Sequence, residues 1–233
     1  MIQSVFIQLF TRGARHREPE RVLDLLEHSE IYRPTHWAEA QHLRDPYSRP
    51  VVNDAIEAIR QRPQPDVLYV KRVIQPRYRC ELRVAPDSPE HEQGSWIDIT
   101  SDLQLAPGEP ELLSELATAL ANALDVDFGL VDLQFADAPG DRMKTSGHEH
   151  FGLFLERGPS TLYARTFLGT GLMKRLGGSS ALRECGLHPS TLSETVCQVD
   201  LLSEPWSHSP SALKAAQQKA LQCLRPSGVF ESD

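Results

Sequence analysis

The chain has 233 residues and a formal net charge of −8, with 40% hydrophobic and 24% charged residues. That length can bury a real core, and the composition is that of an ordinary globular protein, not a collagenous or disordered one. No apolar run reaches the roughly 20 residues that a membrane helix needs. The opening MIQSVFIQLFTRG reads as a strand and not as a signal peptide. A cytoplasmic protein without a membrane partner is expected.

The charge is uneven. Residues 1–83 hold 14 Lys and Arg against 11 Asp and Glu, residues 84–160 hold 3 against 15, and residues 161–233 hold 7 against 6. The middle third therefore carries the whole negative excess. Such a field repels phosphates and argues against nucleic acid as a partner. It favours a basic protein partner, a cation, or simple solubility. Cys80, Cys185, Cys197 and Cys223 are widely spaced and form no C-x-x-C pair. Zinc and redox motifs are thus missing, and reduced, mostly buried thiols are expected.

In chain order, Ser4 to Phe10 alternates as a first strand. The loop after it carries Arg12, Arg15 and Arg17 around Gly13, far short of a phosphate-loop pattern. Glu18-Pro19-Glu20 opens a helix with an apolar face of Val22, Leu25 and Leu26. Residues 31–50 read as an ordered loop with a single short turn of helix, in which Tyr32, Trp37 and Tyr47 pin the chain to the core or line a cleft. Val52, Ala55, Ile56 and Ile59 mark a second helix, stopped by Pro63 and Pro65.

Val67 to Ile74 and Tyr78 to Val84 form a hairpin about Gln75-Pro76-Arg77. Its return strand places Tyr78, Cys80, Leu82 and Val84 on one face and Arg79, Glu81 and Arg83 on the other, as in an antiparallel sheet with one wet side. A polar loop precedes the strand Trp96 to Thr100. Pro110 starts a helix with Leu112, Leu116, Leu120 and Leu124 at four-residue spacing, and with Glu109, Glu111 and Glu115 near its positive end. A strand from Phe128 to Phe135 leads into a long loop over residues 136–150, of a length that is usually functional. Leu162 to Leu168 is a strand, GLMKRLGG a short helix, and Thr195 to Leu201 a strand. Ser209-Pro210 caps a last helix with Leu213, Ala216, Ala220 and Leu224 inward. Strands and helices mix without β-α-β alternation, so the expected fold is α+β, a mainly antiparallel sheet packed with helices in a single domain over residues 1–233.

No catalytic signature stands out. His148 and His150 flank Glu149 and, on an extended chain, would face the same way, as two ligands of a metal do. A site needs a third ligand, and Asp137, Asp141 and His188 qualify only by type. Asp125 with Asp127, and Asp137 with Asp141, are paired carboxylates of the kind that do acid–base work when partly buried. Exposed loop acids are the simpler account, so no cofactor and no catalytic residue is assigned.

The C-terminal third, LYARTFLGTGLMKRLGG and then CQVDLLSEPWSHSPSALKAAQQKALQCLRPSGVF, carries Tyr163-Ala164-Arg165-Thr166 and Glu204-Pro205-Trp206. It resembles bacterial proteins encoded beside secreted polymorphic toxins and taken to be their immunity proteins. The resemblance implies a protein that neutralises a cognate toxin, with a basic nuclease domain as the partner to which an acidic surface is complementary. The acidic residues that would carry such a surface are Asp127, Asp132, Asp137, Asp141 and Glu149, with Trp96 as aromatic anchor. The alternatives are a metal-assisted hydrolase built on His148 and His150, and a non-catalytic structural or regulatory module.

Overall fold

The segment from Ile2 to Thr11 is one strand, β1, buried along both faces: Val5, Ile7 and Leu9 on one, Ser4, Phe6, Gln8 and Phe10 on the other. Burial on both sides is the mark of a central strand. In the computed structural model, which describes residues 1–11, 19–39, 44–85, 95–101, 105–136 and 158–230, β1 sits inside a ten-stranded antiparallel sheet. Its neighbours are β6 (Ser95–Ser101) and β7 (Phe128–Phe135). β4 (Asp66–Arg72) and β5 (Tyr78–Val84) continue the sheet beyond β6, and β2 (His36–Ala38) and β3 (Asp45–Pro46) end it. On the other side follow β8 (Arg165–Gly169), β10 (Val196–Asp200) and β9 (His188–Thr191). The expected α+β class with an antiparallel sheet is what forms.

β6 and β7 both run antiparallel to β1 and therefore parallel to each other. A helix must carry the chain across β1 between them. That helix is α3 (Glu109–Leu124), and its buried stripe is Leu113, Leu116, Leu120 and Leu124 with Ala117 and Ala121. Leu112, expected inside, is only half-buried. A strict four-residue spacing drifts around a 3.6-residue helix, so the stripe passes from Leu112 to Leu113. Each fully buried leucine contributes about 1.5–3 kcal/mol.

The hairpin alternates as its sequence implies: Tyr78, Cys80, Leu82 and Val84 are buried, and Arg79, Glu81 and Arg83 are half-exposed. On the wet face Arg79 stacks over Tyr69 at 4.6 Å and pairs with Glu81 at 3.0 Å. The Gln75–Pro76 bond in its turn is cis. α1 (Pro19–His28) and α2 (Arg49–Arg60) bury Val22, Leu23 and Leu26, and Val52, Ala55, Ile56 and Ile59. Arg49 joins the two helices through Asp24 at 2.7 Å and Glu27 at 2.6 Å.

Three expectations are corrected. Residues 36–38 and 45–46 form short edge strands instead of a helical turn; Thr35 holds them by accepting from Val73 and donating to the Lys71 carbonyl. Tyr32 pins this segment to the core, its hydroxyl donating to the Leu112 carbonyl at 3.0 Å. After β8 there are two helices, α4 (Thr170–Arg175) and α5 (Gly178–Glu184), because Gly177 (φ 83) and Gly178 (φ 78) take left-handed conformations that end one helix before the next starts. Finally, Cys185 and Cys223 form a disulfide with Cα atoms 5.5 Å apart, tying the end of α5 to α6 (Pro210–Leu224). Cys80 and Cys197 are the buried free thiols. Sequence spacing does not report spatial proximity, and the pair is 38 residues apart.

Candidate functional site

Of the acidic residues proposed from sequence, the described ones, Asp127 and Asp132, are half-buried and buried. Asp132 is 1% exposed, opposite Phe6 on the interior of the sheet, and offers nothing to a partner. The alternation of β7 puts it there, with Phe128 and Leu130 on the same face. Asp127 is half-buried at the start of β7, where its backbone bonds to Phe10 and Gly169. Asp125 caps α3 in a left-handed conformation (φ 54) and accepts from the Thr195 hydroxyl. Trp96 pairs with Phe10 through the β6 backbone. Asp137, Asp141 and Glu149, together with His148 and His150, lie outside the described residues. Among the described residues no group of three or more His, Cys, Asp or Glu is arranged to hold a metal.

Part of the acidic excess is spent on the interior. Glu109 is 2% exposed, and its carboxylate accepts from the backbone N–H groups of Arg77 at 3.0 Å and Ala106 at 2.5 Å. It thereby pins the hairpin turn to the start of α3. Charge-assisted bonds to backbone N–H groups are among the strong ones. Glu111 and Glu115, on the same helix, face solvent.

The two motifs of the C-terminal third meet in space. Arg165 on β8 stands opposite Asp200 on β10, and its guanidinium forks onto both carboxylate oxygens at 2.7 and 2.9 Å. The third nitrogen donates to the Thr118 hydroxyl at 3.0 Å and the Ser114 carbonyl at 3.3 Å, both on α3. Gln198 donates to Asp200 at 3.2 Å and accepts from Thr118 at 2.9 Å. Arg165 and Asp200 are 7% and 8% exposed. A buried pair of this kind persists when the remaining donors and acceptors are also satisfied. Over the guanidinium, 5.1 Å from it, lies the ring of Trp206, in the cation–π arrangement.

Trp206 also faces outward, into a groove of about 660 Å³ at the end of the sheet. One wall is the entry to α3, with Leu105, Pro110 and Glu111. The other is the 3-10 turn Pro205–Ser207 and the start of α6, with Glu204, Trp206 and His208. Ile2 and Phe135, at the ends of β1 and β7, close the floor. The second wall is held in shape locally. Ser209 caps α6 by accepting from the Ala212 N–H at 3.3 Å, and the His208 ring donates to the Ser203 carbonyl at 2.9 Å. Glu204 sits in a left-handed conformation (φ 50, ψ 66), a strained position for a residue other than glycine. Among the described residues no Lys or Arg side chain lines the groove.

Sequence reading missed Arg165, Asp200 and the groove. The available signal was a single arginine in the apolar run LYARTFL and a single aspartate in CQVDLL; both strands prove buried along both faces, whereas sequence alternation sets only Cys197, Val199 and Leu201 inward. Two lone opposite charges among apolar residues imply each other's company.

No protein-family model matches the chain, and no curated protein matches it. Among solved structures it is similar to the Pseudomonas aeruginosa T6SS protein PA0821, with 13% identity and a TM-score of 0.60 over 98% of this chain and 74% of that one. At that identity the likeness is one of fold.

Proposed function

We propose that the protein binds and neutralises a cognate bacterial toxin, as an immunity protein of a toxin-delivering secretion system. The observation that carries the reading is the fold shared along nearly the whole chain with a protein described as a T6SS protein. The resemblance of the C-terminal third agrees with it, and its two motifs, far apart in sequence, touch where Arg165 stacks on Trp206. The partner would be a basic toxin domain, drawn to exposed acids such as Glu111, Glu115 and Glu204. Such complementarity speeds encounter and sets specificity.

The cysteines bear on the proposed location. No helix among the described residues is long and apolar enough to cross a membrane. The Cys185–Cys223 bond is of the kind that persists where thiols are oxidised, which supports an oxidising compartment as the proposal beside the cytoplasmic expectation. Two experiments test the proposal. Co-expression with the toxin encoded by the adjacent gene should rescue growth. Maleimide labelling in intact cells should leave Cys185 and Cys223 unmodified. Absence of rescue, with both proteins expressed, removes the toxin reading; full labelling of both cysteines removes the compartment.

A further inference from the structure

We infer that the groove between the α3 entry and the 205–210 segment is where a partner is held, and that its occupant is an apolar or aromatic side chain flanked by Lys or Arg. The inference rests on the toxin-binding reading for the partner's identity, and on the groove alone for its chemistry.

The floor and the Trp206 wall are apolar, so an apolar side chain gains by leaving water there. Each wall ends in a carboxylate, Glu111 on one side and Glu204 on the other. The buried cation nearest the groove, Arg165, is already matched by Asp200. Among the described lining residues the two carboxylates outnumber the one formal cation, the Met1 amino terminus, so the rim is net negative over an apolar base, and a neutral or acidic segment would add no cation to offset their desolvation. Prolines 107, 110, 205 and 210 fix the backbone of both walls, and the guanidinium under Trp206 holds its ring. A preformed aromatic site costs little ordering on binding, and tryptophan is a preferred anchor at the centre of an interface. Glu204 points the same way. The chain keeps a glutamate in a backbone conformation that glycine would hold without strain, and strain of this sort collects at binding sites.

The test uses the full chain and three probes: the peptides Lys-Lys-Phe-Lys-Lys, Glu-Glu-Phe-Glu-Glu and Lys-Lys-Gly-Lys-Lys. The readout is the Trp206 indole N–H resonance, assigned with Trp206→Phe. The first peptide should shift it saturably and the other two should not. Glu111→Gln with Glu204→Gln, which leaves the apolar base intact, should weaken that binding about tenfold. Equal responses to the basic and acidic peptides would make the groove a site for an apolar small molecule and overturn the inference. Concentration-dependent dimers that Trp206→Phe abolishes would put a second copy there and overturn it too. Protection from the toxin separates the two claims. If the double variant protects as well as the native chain, the groove is not the interface, although the toxin reading stands. If the peptides discriminate as expected but the native chain gives no protection, the groove chemistry stands and the toxin reading falls.

Discussion

Replacing Arg165 by methionine isolates the buried pair at the heart of the C-terminal half. Methionine fills much of the arginine stem, so packing changes little. What changes is Asp200, which loses the guanidinium fork on both oxygens and keeps, of the side-chain donors described above, Gln198 at 3.2 Å. Breaking a buried pair from one side costs about 3–5 kcal/mol, because a charge is left in the interior without its partner. For a chain of this size each kcal/mol moves the melting temperature by about 2–4 °C, so the variant should melt roughly 6–20 °C lower. Arg165→Lys should fall between, since an ammonium cannot fork onto two oxygens and also reach Thr118. The double variant Arg165→Met with Asp200→Leu should recover most of the loss, because both charges leave together. Urea unfolding gives the comparison directly, provided the m-value is unchanged. A cost below about 1 kcal/mol for Arg165→Met, or a double variant no more stable than the single, would refute the assignment of the pair as a coupled buried unit.

Other outcomes follow from the same structure. Replacing Cys185 and Cys223 by serine opens a closure of 38 residues and should cost about 4 kcal/mol in the chain-entropy estimate, checked by denaturation with and without reductant. Gly169→Ala places a methyl group 2.9 Å from both the Val126 carbonyl oxygen and the Asp127 Cα. Backbone cannot swing aside, so the variant should lose about 1–3 kcal/mol, read from its urea midpoint. Glu204→Gly removes a left-handed non-glycine residue and should gain about 1 kcal/mol in thermal unfolding, while weakening the basic peptide. Burial raises the phenols of Tyr32, Tyr47 and Tyr78 above the ordinary value of 10.0. The folded state thus holds protons that the unfolded chain releases, and the stability due to these groups is complete below pH 10 and lost as pH rises beyond it. Phenolate absorbance from these tyrosines should appear together with unfolding, and smooth titration of all three in the folded protein would contradict it.

Local patterns made much of the fold readable. β5 alternates, α2 carries its four inward residues at helical spacing, and Ser209-Pro210 announces α6; each depends on neighbours in sequence. Elements that depend on distant partners were not readable. The strand at 36–38 exists because Lys71 and Val73 meet Thr35, and β9 exists because β10 offers an edge. The same limit applied to the site. Charge counting located an acidic middle, but it could not tell that Glu109 serves two backbone N–H groups or that Asp132 lies inside the sheet. Nor could it bring Arg165 beneath Trp206, since the contact joins segments that only the sheet register and the α6 entry bring together.

The most direct measurement is the affinity between this protein and the basic toxin domain proposed as its partner, taken by calorimetry across a range of salt. A tight complex is expected, with an affinity that falls as salt rises and falls further in the Glu111→Gln and Glu204→Gln double variant. No detectable complex at low salt, with both proteins folded, would contradict it.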